Sequence, residues 1–349
     1  MLLQPDTLSD RMARPVRVVV CDDSPFMRRL IRQGLERSLD IEVVGSAANA
    51  REAIELVKTL WPDVLTLDLE LPDLDGVQVL HECRDLPVRV LVVSSFTDHI
   101  GTERAVEALA EGAVDVLGKP SAESTPSVFT AQLLERVRAV FTGAPYVPIS
   151  TARIPDGAVA SRRLIVIGAS TGGPRALQGI LAALPGDLES PIVVVQHMPA
   201  QFTSVFAERL DRICALNVVE AHDGMQLEAG RVHVAPAGMH LHIDGETLRV
   251  RGGAPVNGVV PSIDVTLIDA AATWGSRVTG IVLTGIGRDG CEGSRAVHAA
   301  GGRIIAEHHS TCVVYGMPKA VIETGLADRI VPLDTMVDAI VSEVYHGGT

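Results

Sequence analysis

The chain has 349 residues, 47% of them hydrophobic, enough for two ordinary domains each with its own core. A formal net charge of −13 argues against a general nucleic-acid binder, which needs a basic surface to neutralise phosphates. Five scattered cysteines without a C-x-x-C pair suit reduced thiols, no apolar run reaches membrane-spanning length, and the first residues lack the charged-then-apolar order of a signal peptide, so the expectation is a soluble cytoplasmic protein without membrane insertion.

Apolar strands and helical patterns alternate from residue 16 onward. Stretches 16–21, 41–45, 64–67, 88–93 and 113–117 read as strands. Between and after them, 25–38, 50–60, 76–84, about 101–111 and 128–141 read as helices. Such alternation predicts a five-stranded parallel sheet covered on both faces, with ligands at the carboxyl ends of its strands. Those ends carry Asp22-Asp23, Asp68, Ser94 and Lys119-Pro120. Converging carboxylates repel one another unless a hard divalent cation such as Mg²⁺ sits among them. Ser94 and Lys119 could then bind an incoming oxyanion. Strand-end acids can also merely solvate loops or cap helices, as Asp23 or Ser24 could here. Five suitable residues at four strand ends outweigh that reading.

This constellation resembles the response-regulator receiver domain, over residues 16–139, with a flavodoxin-like fold. The resemblance implies that Asp68 accepts a phosphoryl group from a histidine kinase, and that Asp22, Asp23 and Asp68 hold Mg²⁺ with the backbone carbonyl of Glu70. Ser94 and Lys119 would read the phosphoryl oxygens, whose added charge suits a switch. Receivers usually carry an aromatic residue three positions before the lysine. Here it is Val116, so the usual aromatic-rotamer route lacks its side chain.

Residues 140–161 turn to Pro, Gly, Ser, Thr and Ala and read as an interdomain linker. A second series, 162–349, predicts a doubly wound α/β domain. Its first strand runs into Gly168-Ala169-Ser170-Thr171-Gly172-Gly173-Pro174, whose G-x-S-x-G spacing suits either an exposed nucleophile on a sharp turn or a phosphate cradle. Strand 192–196 ends at His197, 204–215 reads as a helix, and 232–235, 240–243 and 247–251 suggest β-hairpins. Helix 262–273 precedes strand 278–283, which runs into Thr284-Gly285-Ile286-Gly287-Arg288-Asp289-Gly290; helix 292–300 and strand 304–306 follow.

Ser170, His197 and Asp289 thus each lie just beyond a strand's carboxyl end. A serine hydroxyl needs a base, and that imidazole needs a carboxylate to fix its tautomer. Alone, His197 would read as a core histidine and Asp289 as a turn residue; their agreement with Ser170 shifts the balance. The order serine, histidine, acid differs from that of α/β-hydrolases. A dinucleotide fingerprint also fails, because the glycine spacing is wrong and Gln196-His197 stand where its acid belongs.

The three segments around these residues, with Cys312-Val313-Val314-Tyr315-Gly316-Met317-Pro318-Lys319, resemble the chemotaxis protein-glutamate methylesterase family (CheB type). With the receiver in front, the resemblance covers nearly the whole chain. It implies hydrolysis of glutamate γ-methyl esters, and deamidation of glutamines, in methyl-accepting chemoreceptors. Ser170 would be the nucleophile, His197 the base and then acid, and Asp289 the orienting carboxylate, with no cofactor in the ester chemistry. The Ile286 N–H would help hold the oxyanion, and Thr171 would support the site. The unphosphorylated receiver is expected to restrain the esterase, so that removing residues before about 162 raises basal activity. Departures from the family's usual pattern are Ile286 in place of methionine, Gly258-Val259-Val260 in place of basic residues, and Glu307-His308-His309 in place of a polar-acidic run. His308 and His309, with His240 and His242, lack metal-ligand spacing and read as exposed strand histidines. The alternative is a non-enzymatic regulator whose esterase-like domain binds a receptor.

Overall fold

The computed structural model describes residues 14–95, 99–120, 125–144 and 147–346. The chain divides between Thr142 and Gly143 into two compact units.

In the first unit, β1 (Val16–Cys21), β2 (Ile41–Ala47), β3 (Val64–Leu67), β4 (Arg89–Ser94) and β5 (Asp115–Gly118) form a wholly parallel sheet in the order β2-β1-β3-β4-β5. The β-branched runs suit strands buried on both faces. Helix starts are set by side-chain caps, with Ser24, Asn49 and Asp75 accepting the backbone N–H of Met27, Glu52 and Val77. Val18, Val20, Ile31, Leu91 and Leu133 form the core beneath one face.

The second unit is built on β7 (Leu164–Ala169), after the two-residue β6 (Val159–Ala160). Then come β8 (Ile192–Gln196), β9 (Asn217–Glu220), β10 (Arg231–Val234), β11 (His240–Asp244), β12 (Thr247–Arg251), β13 (Val278–Val282), β14 (Arg303–Glu307), β15 (Arg329–Val331) and β16 (Tyr345–His346). Seven of these form one parallel sheet in the order β15-β14-β13-β7-β8-β10-β9. From β7 the chain first winds through β8 and then returns to the other side of β7 at β13. The strand order therefore reverses between β7 and β13, and such a switch point opens a crevice at the carboxyl ends.

The structure departs from the sequence reading in several places. Segment 231–234 is a strand of the main sheet, not part of a hairpin; the hairpin is β11–β12 alone, closed by Gly245 at φ 64. Strands β9 and β15 were not foreseen, being short edge strands. The linker is not structureless either, since Val159–Ala160 pairs with Tyr345–His346. Among the described residues no helix is long and apolar enough to cross a membrane.

Leu267, on the helix Ile263–Trp274, is wholly buried in the second core. Leu267→Ala is expected to destabilise this unit by about 2–5 kcal/mol. Urea unfolding should register that loss while the receiver's transition stays in place.

Candidate active site and phosphoacceptor cluster

Ser170 follows β7 directly, at a turn that only glycines permit. Gly172 has φ 80, and a Cβ there would meet Val313; at Gly173 a Cβ would overlap the Gln196 side chain. The Ser170 N–H donates to the Thr284 carbonyl at 3.0 Å, which ties the turn to the end of β13. From the other side, the Gln196 amide donates to the Ser170 carbonyl at 2.9 Å and to the His197 carbonyl at 3.0 Å. His197 N–H in turn donates to Ala169 O at 3.0 Å. The ends of β7, β8 and β13 are thus bound into one rim.

On that rim His197 Nε2 lies 2.9 Å from Asp289 Oδ2. An ionised carboxylate can only accept, so Nε2 carries the proton and Nδ1 is the basic nitrogen. No hydrogen bond joins Ser170 Oγ to the imidazole in this arrangement; catalytic bonds of this kind commonly tighten only around substrate.

Asp289 is buried, and its carboxylate is heavily solvated by protein. Ile263 N–H donates to Oδ2 at 2.7 Å. Oδ1 accepts Ser262 Oγ at 2.8 Å, Asp264 N–H at 3.2 Å and Asn257 Nδ2 at 3.2 Å. These donors cluster at the amino end of the helix Ile263–Trp274, where the helix dipole favours negative charge. Burial pushes the carboxyl up, but His197 and these donors more than offset it and hold it down at about 2. Neighbouring Asp264 goes the other way, raised by its burial and by the charge of Asp289. Of the two carboxyls, Asp289 is therefore the more acidic.

Thr171 is buried, with its carbonyl accepting Thr284 Oγ1 at 2.9 Å. Ile286 is half-buried on the loop after β13. Its neighbour Gly285 is fixed on both sides, donating to Val314 O at 3.1 Å and accepting Met317 N–H at 2.9 Å.

The receiver residues also meet. Asp68 accepts Ser94 Oγ at 2.7 Å and Lys119 Nζ at 2.5 Å, and Glu70 N–H lies 3.3 Å from Asp68 Oδ1. Lys119 Nζ forms an ion pair with Asp22 Oδ2 at 2.8 Å. Burial pulls the ammonium down, yet the two carboxylates together outweigh it and raise it; Asp22 itself is raised by burial. One oxygen each of Asp22, Asp23 and Asp68 lies within 4.8 Å of the others. Three hard carboxylate oxygens converging at the carboxyl edge of a parallel sheet fit a cation such as Mg²⁺. Val116 is buried in β5.

The profile for CheB methylesterase matches residues 165–340, and that for the response regulator receiver domain matches 18–126. A protein-glutamate methylesterase/protein-glutamine glutaminase of Symbiobacterium thermophilum is 41% identical, over 97% of this chain and all of the relative. The chain belongs to the CheB methylesterase family. A Thermotoga maritima relative with the same name is 41% identical, over 91% of this chain and 96% of its own. The crystal structure of the Thermotoga maritima CheB methylesterase catalytic domain is 42% identical, covering 53% of this chain and 100% of its own, with a TM-score of 0.51.

Within this CheB-family chain, four site residues escaped the sequence reading: Gln196, Asn257, Ser262 and Asp264. Gln196 directly precedes His197, but its cross-strand role has no local signal. Asn257 and Ser262 lie on either side of 258–260, and Asp264 is one acid in a helix's first turn with no pattern to single it out. His240 is a correction. It is buried, not an exposed strand histidine, because Nδ1 accepts Ser262 N–H at 3.2 Å and Nε2 reaches Ala254 O at 3.0 Å. His242 is paired with Asp269 at 2.7 Å.

Because the Asp289 carboxyl is held below its unfolded value of about 3.9, its charge stabilises the fold above that pH, and the benefit fades as pH falls from about 4 towards 2. Ser262→Ala removes one donor to this charge. Acid unfolding followed by circular dichroism should begin at higher pH in the variant, and ester hydrolysis should fall roughly tenfold, as for a lost bond to a charged group. An unchanged acid midpoint would assign the work to the remaining donors.

Proposed function

We propose that this chain is a phosphorylation-controlled protein-glutamate methylesterase and glutaminase of a cytoplasmic chemosensory pathway. Its substrates would be methyl-accepting chemoreceptors and its phosphodonor a histidine kinase. The observation that carries the reading is the His197–Asp289 pair, 2.9 Å apart, on the strand-end rim that also holds Ser170.

In this mechanism His197 Nδ1 takes the proton of Ser170 Oγ as the oxygen attacks the γ-carbonyl carbon of a methylated glutamate. The negative charge that develops on the carbonyl oxygen is met by the Ile286 N–H, with Thr171 supporting the turn. His197 then protonates the departing methoxide, so methanol leaves and an acyl-serine remains. A water molecule, deprotonated by the same nitrogen, attacks that ester and releases the glutamate carboxylate and free Ser170. With a glutamine the leaving group is ammonia and the other steps are the same. Asp289 keeps Nε2 protonated and stabilises the imidazolium throughout.

In the receiver, Asp68 would take the phosphoryl group, with Ser94 and Lys119 binding its oxygens. Asp22, Asp23 and Asp68, with the Glu70 carbonyl, would hold Mg²⁺, which supplies neutralising charge to the transferring phosphoryl group. Since Lys119 already bridges Asp68 and Asp22, a phosphoryl group on Asp68 must compete for the same ammonium. That competition is the charge event the switch would start from.

Methanol release from a methylated receptor fragment, with and without a small-molecule phosphodonor, tests this reading. Wild type should release methanol and accelerate with the donor; Ser170→Ala should fall by about 10³-fold or more, and Asp68→Asn should be active but indifferent to the donor. No release from folded, phosphorylated protein would favour the receptor-binding alternative. The division into receiver, linker and esterase also yields a truncation test. Cutting after Thr142 should raise basal activity, whereas cutting at 162 removes the Val159–Ala160 strand and should cost stability as well. An unchanged rate in the longer fragment would overturn restraint by the receiver.

A further inference from the structure

Behind the serine lies a carboxylate that the proposed chemistry does not use. Glu307 closes β14 and is fully buried. Its Oε2 accepts the Thr284 N–H at 2.8 Å, and its Oε1 accepts Thr311 Oγ1–H at 2.9 Å. Thr284 is the residue through which β13 reaches the nucleophile's turn. Its carbonyl accepts the Ser170 N–H at 3.0 Å, and its hydroxyl donates to the Thr171 carbonyl at 2.9 Å while accepting Val314 N–H at 2.8 Å. Both sides of the Ser170–Thr171 step therefore hang on one threonine, and that threonine hangs on Glu307.

We infer that Glu307 is a positioning residue for the nucleophile, holding the Ser170–Thr171 turn through Thr284. The inference rests on the reading of Ser170 as nucleophile.

The choice of a carboxylate here has a physical consequence. The groups that act on Glu307 are Thr284, Thr311 and Cys312, none of them a cation, so its charge is buried with only neutral donors. Burial pushes the carboxyl up to about 7. The Cys312 thiol, likewise raised by burial, stays protonated beside it. Other charged groups on the surrounding elements are engaged elsewhere. Arg303 and Arg329, on β14 and β15, pair with Asp328 and Glu343, and the flanking helices pair Arg295 with Glu292 and Lys319 with Glu323. His308 bonds Ser310, and His309 lies tilted against His308 and edge-on to Tyr315. Ionised, Glu307 makes two charge-assisted bonds; protonation weakens both and loosens Thr284. Turnover should then contain a component that rises with pH through neutrality.

The test is the dependence of kcat/KM for methanol release on pH, from about 5.5 to about 9, in wild type and Glu307→Gln. Wild type should show an about three- to tenfold component of the rate that rises with pH as Glu307 ionises. The glutamine variant should lack that component, with an unchanged KM and kcat lowered about three- to tenfold at the alkaline plateau. A role in stability alone would lower the melting temperature without removing the component. Should Glu307→Gln fail to fold, Thr311→Val removes one donor to the carboxylate and should move the component to higher pH. A wild-type profile without the component, superimposable profiles, or no movement in Thr311→Val overturns the inference. Labelling by a serine-directed fluorophosphonate, expected in wild type and absent in Ser170→Ala, separates the two readings. Labelled protein with superimposable profiles loses only the role of Glu307, whereas failure to label Ser170 removes both.

Discussion

A negative charge sealed at the amino end of a helix is the constraint on which the catalytic half depends. Asp289 comes from the loop after β13, but its donors come from Asn257, Ser262 and the first backbone amides of the helix Ile263–Trp274. Neither segment can meet its own needs. The carboxylate without the helix would be an unpaired buried charge, and the helix without the carboxylate would leave its first N–H groups unmet. Joining them satisfies both and fixes where His197 must point. Asp264 tightens the same joint, since its two oxygens take Gly293 N–H and Asn257 Nδ2. One joint thus holds the helix, the loop after β13 and the 257–262 segment together.

The receiver places its acids in the same topological position and resolves their burial by the opposite means. Asp289 is surrounded by neutral donors and keeps a low carboxyl. Asp22 and Asp68 instead share one ammonium, that of Lys119. A site satisfied by fixed donors is rigid and suits a residue that must not change its protonation. A site balanced on one shared ammonium shifts when charge is added to it. The two parallel sheets gather residues alike, and the donors those residues meet there differ.

What the sequence revealed, and what it concealed, follows from this. Ser170, His197, Asp289 and the receiver acids were legible because parallel strands end in short loops, so a polar residue just past an apolar run has few places to go. The main-sheet strands and their helices were legible for the same periodic reason. Strands β9 and β15 were missed because three or four residues at a sheet edge carry too little pattern, and Val159–Ala160 because only its partner 185 residues away makes it a strand. Gln196, Asn257, Ser262 and Glu307 were concealed for a different reason. Each acts across a strand boundary on a residue distant in sequence, and nothing local distinguishes a glutamine that clamps two carbonyls from one that solvates a loop. His240 read as exposed because its strand alternates, yet both faces of that hairpin strand near Ser262 are covered.

Within a few residues, the 256–262 segment separates what holds the Asp289 carboxylate from what faces outward. Val256 and Val259 pair across a two-residue turn with Asn257 at φ 53 and Gly258 at φ 81, the left-handed pair that a type I′ turn requires. That turn aims the Asn257 amide inward at Asp264 and Asp289 and leaves Gly258 exposed. The absence of basic side chains at 258–260 therefore touches nothing that holds the carboxylate. The anchor needs only an asparagine that tolerates positive φ, a glycine beside it, and a serine at the helix start. Whatever faces outward between them can vary while the charge on Asp289 and the tautomer of His197 stay fixed.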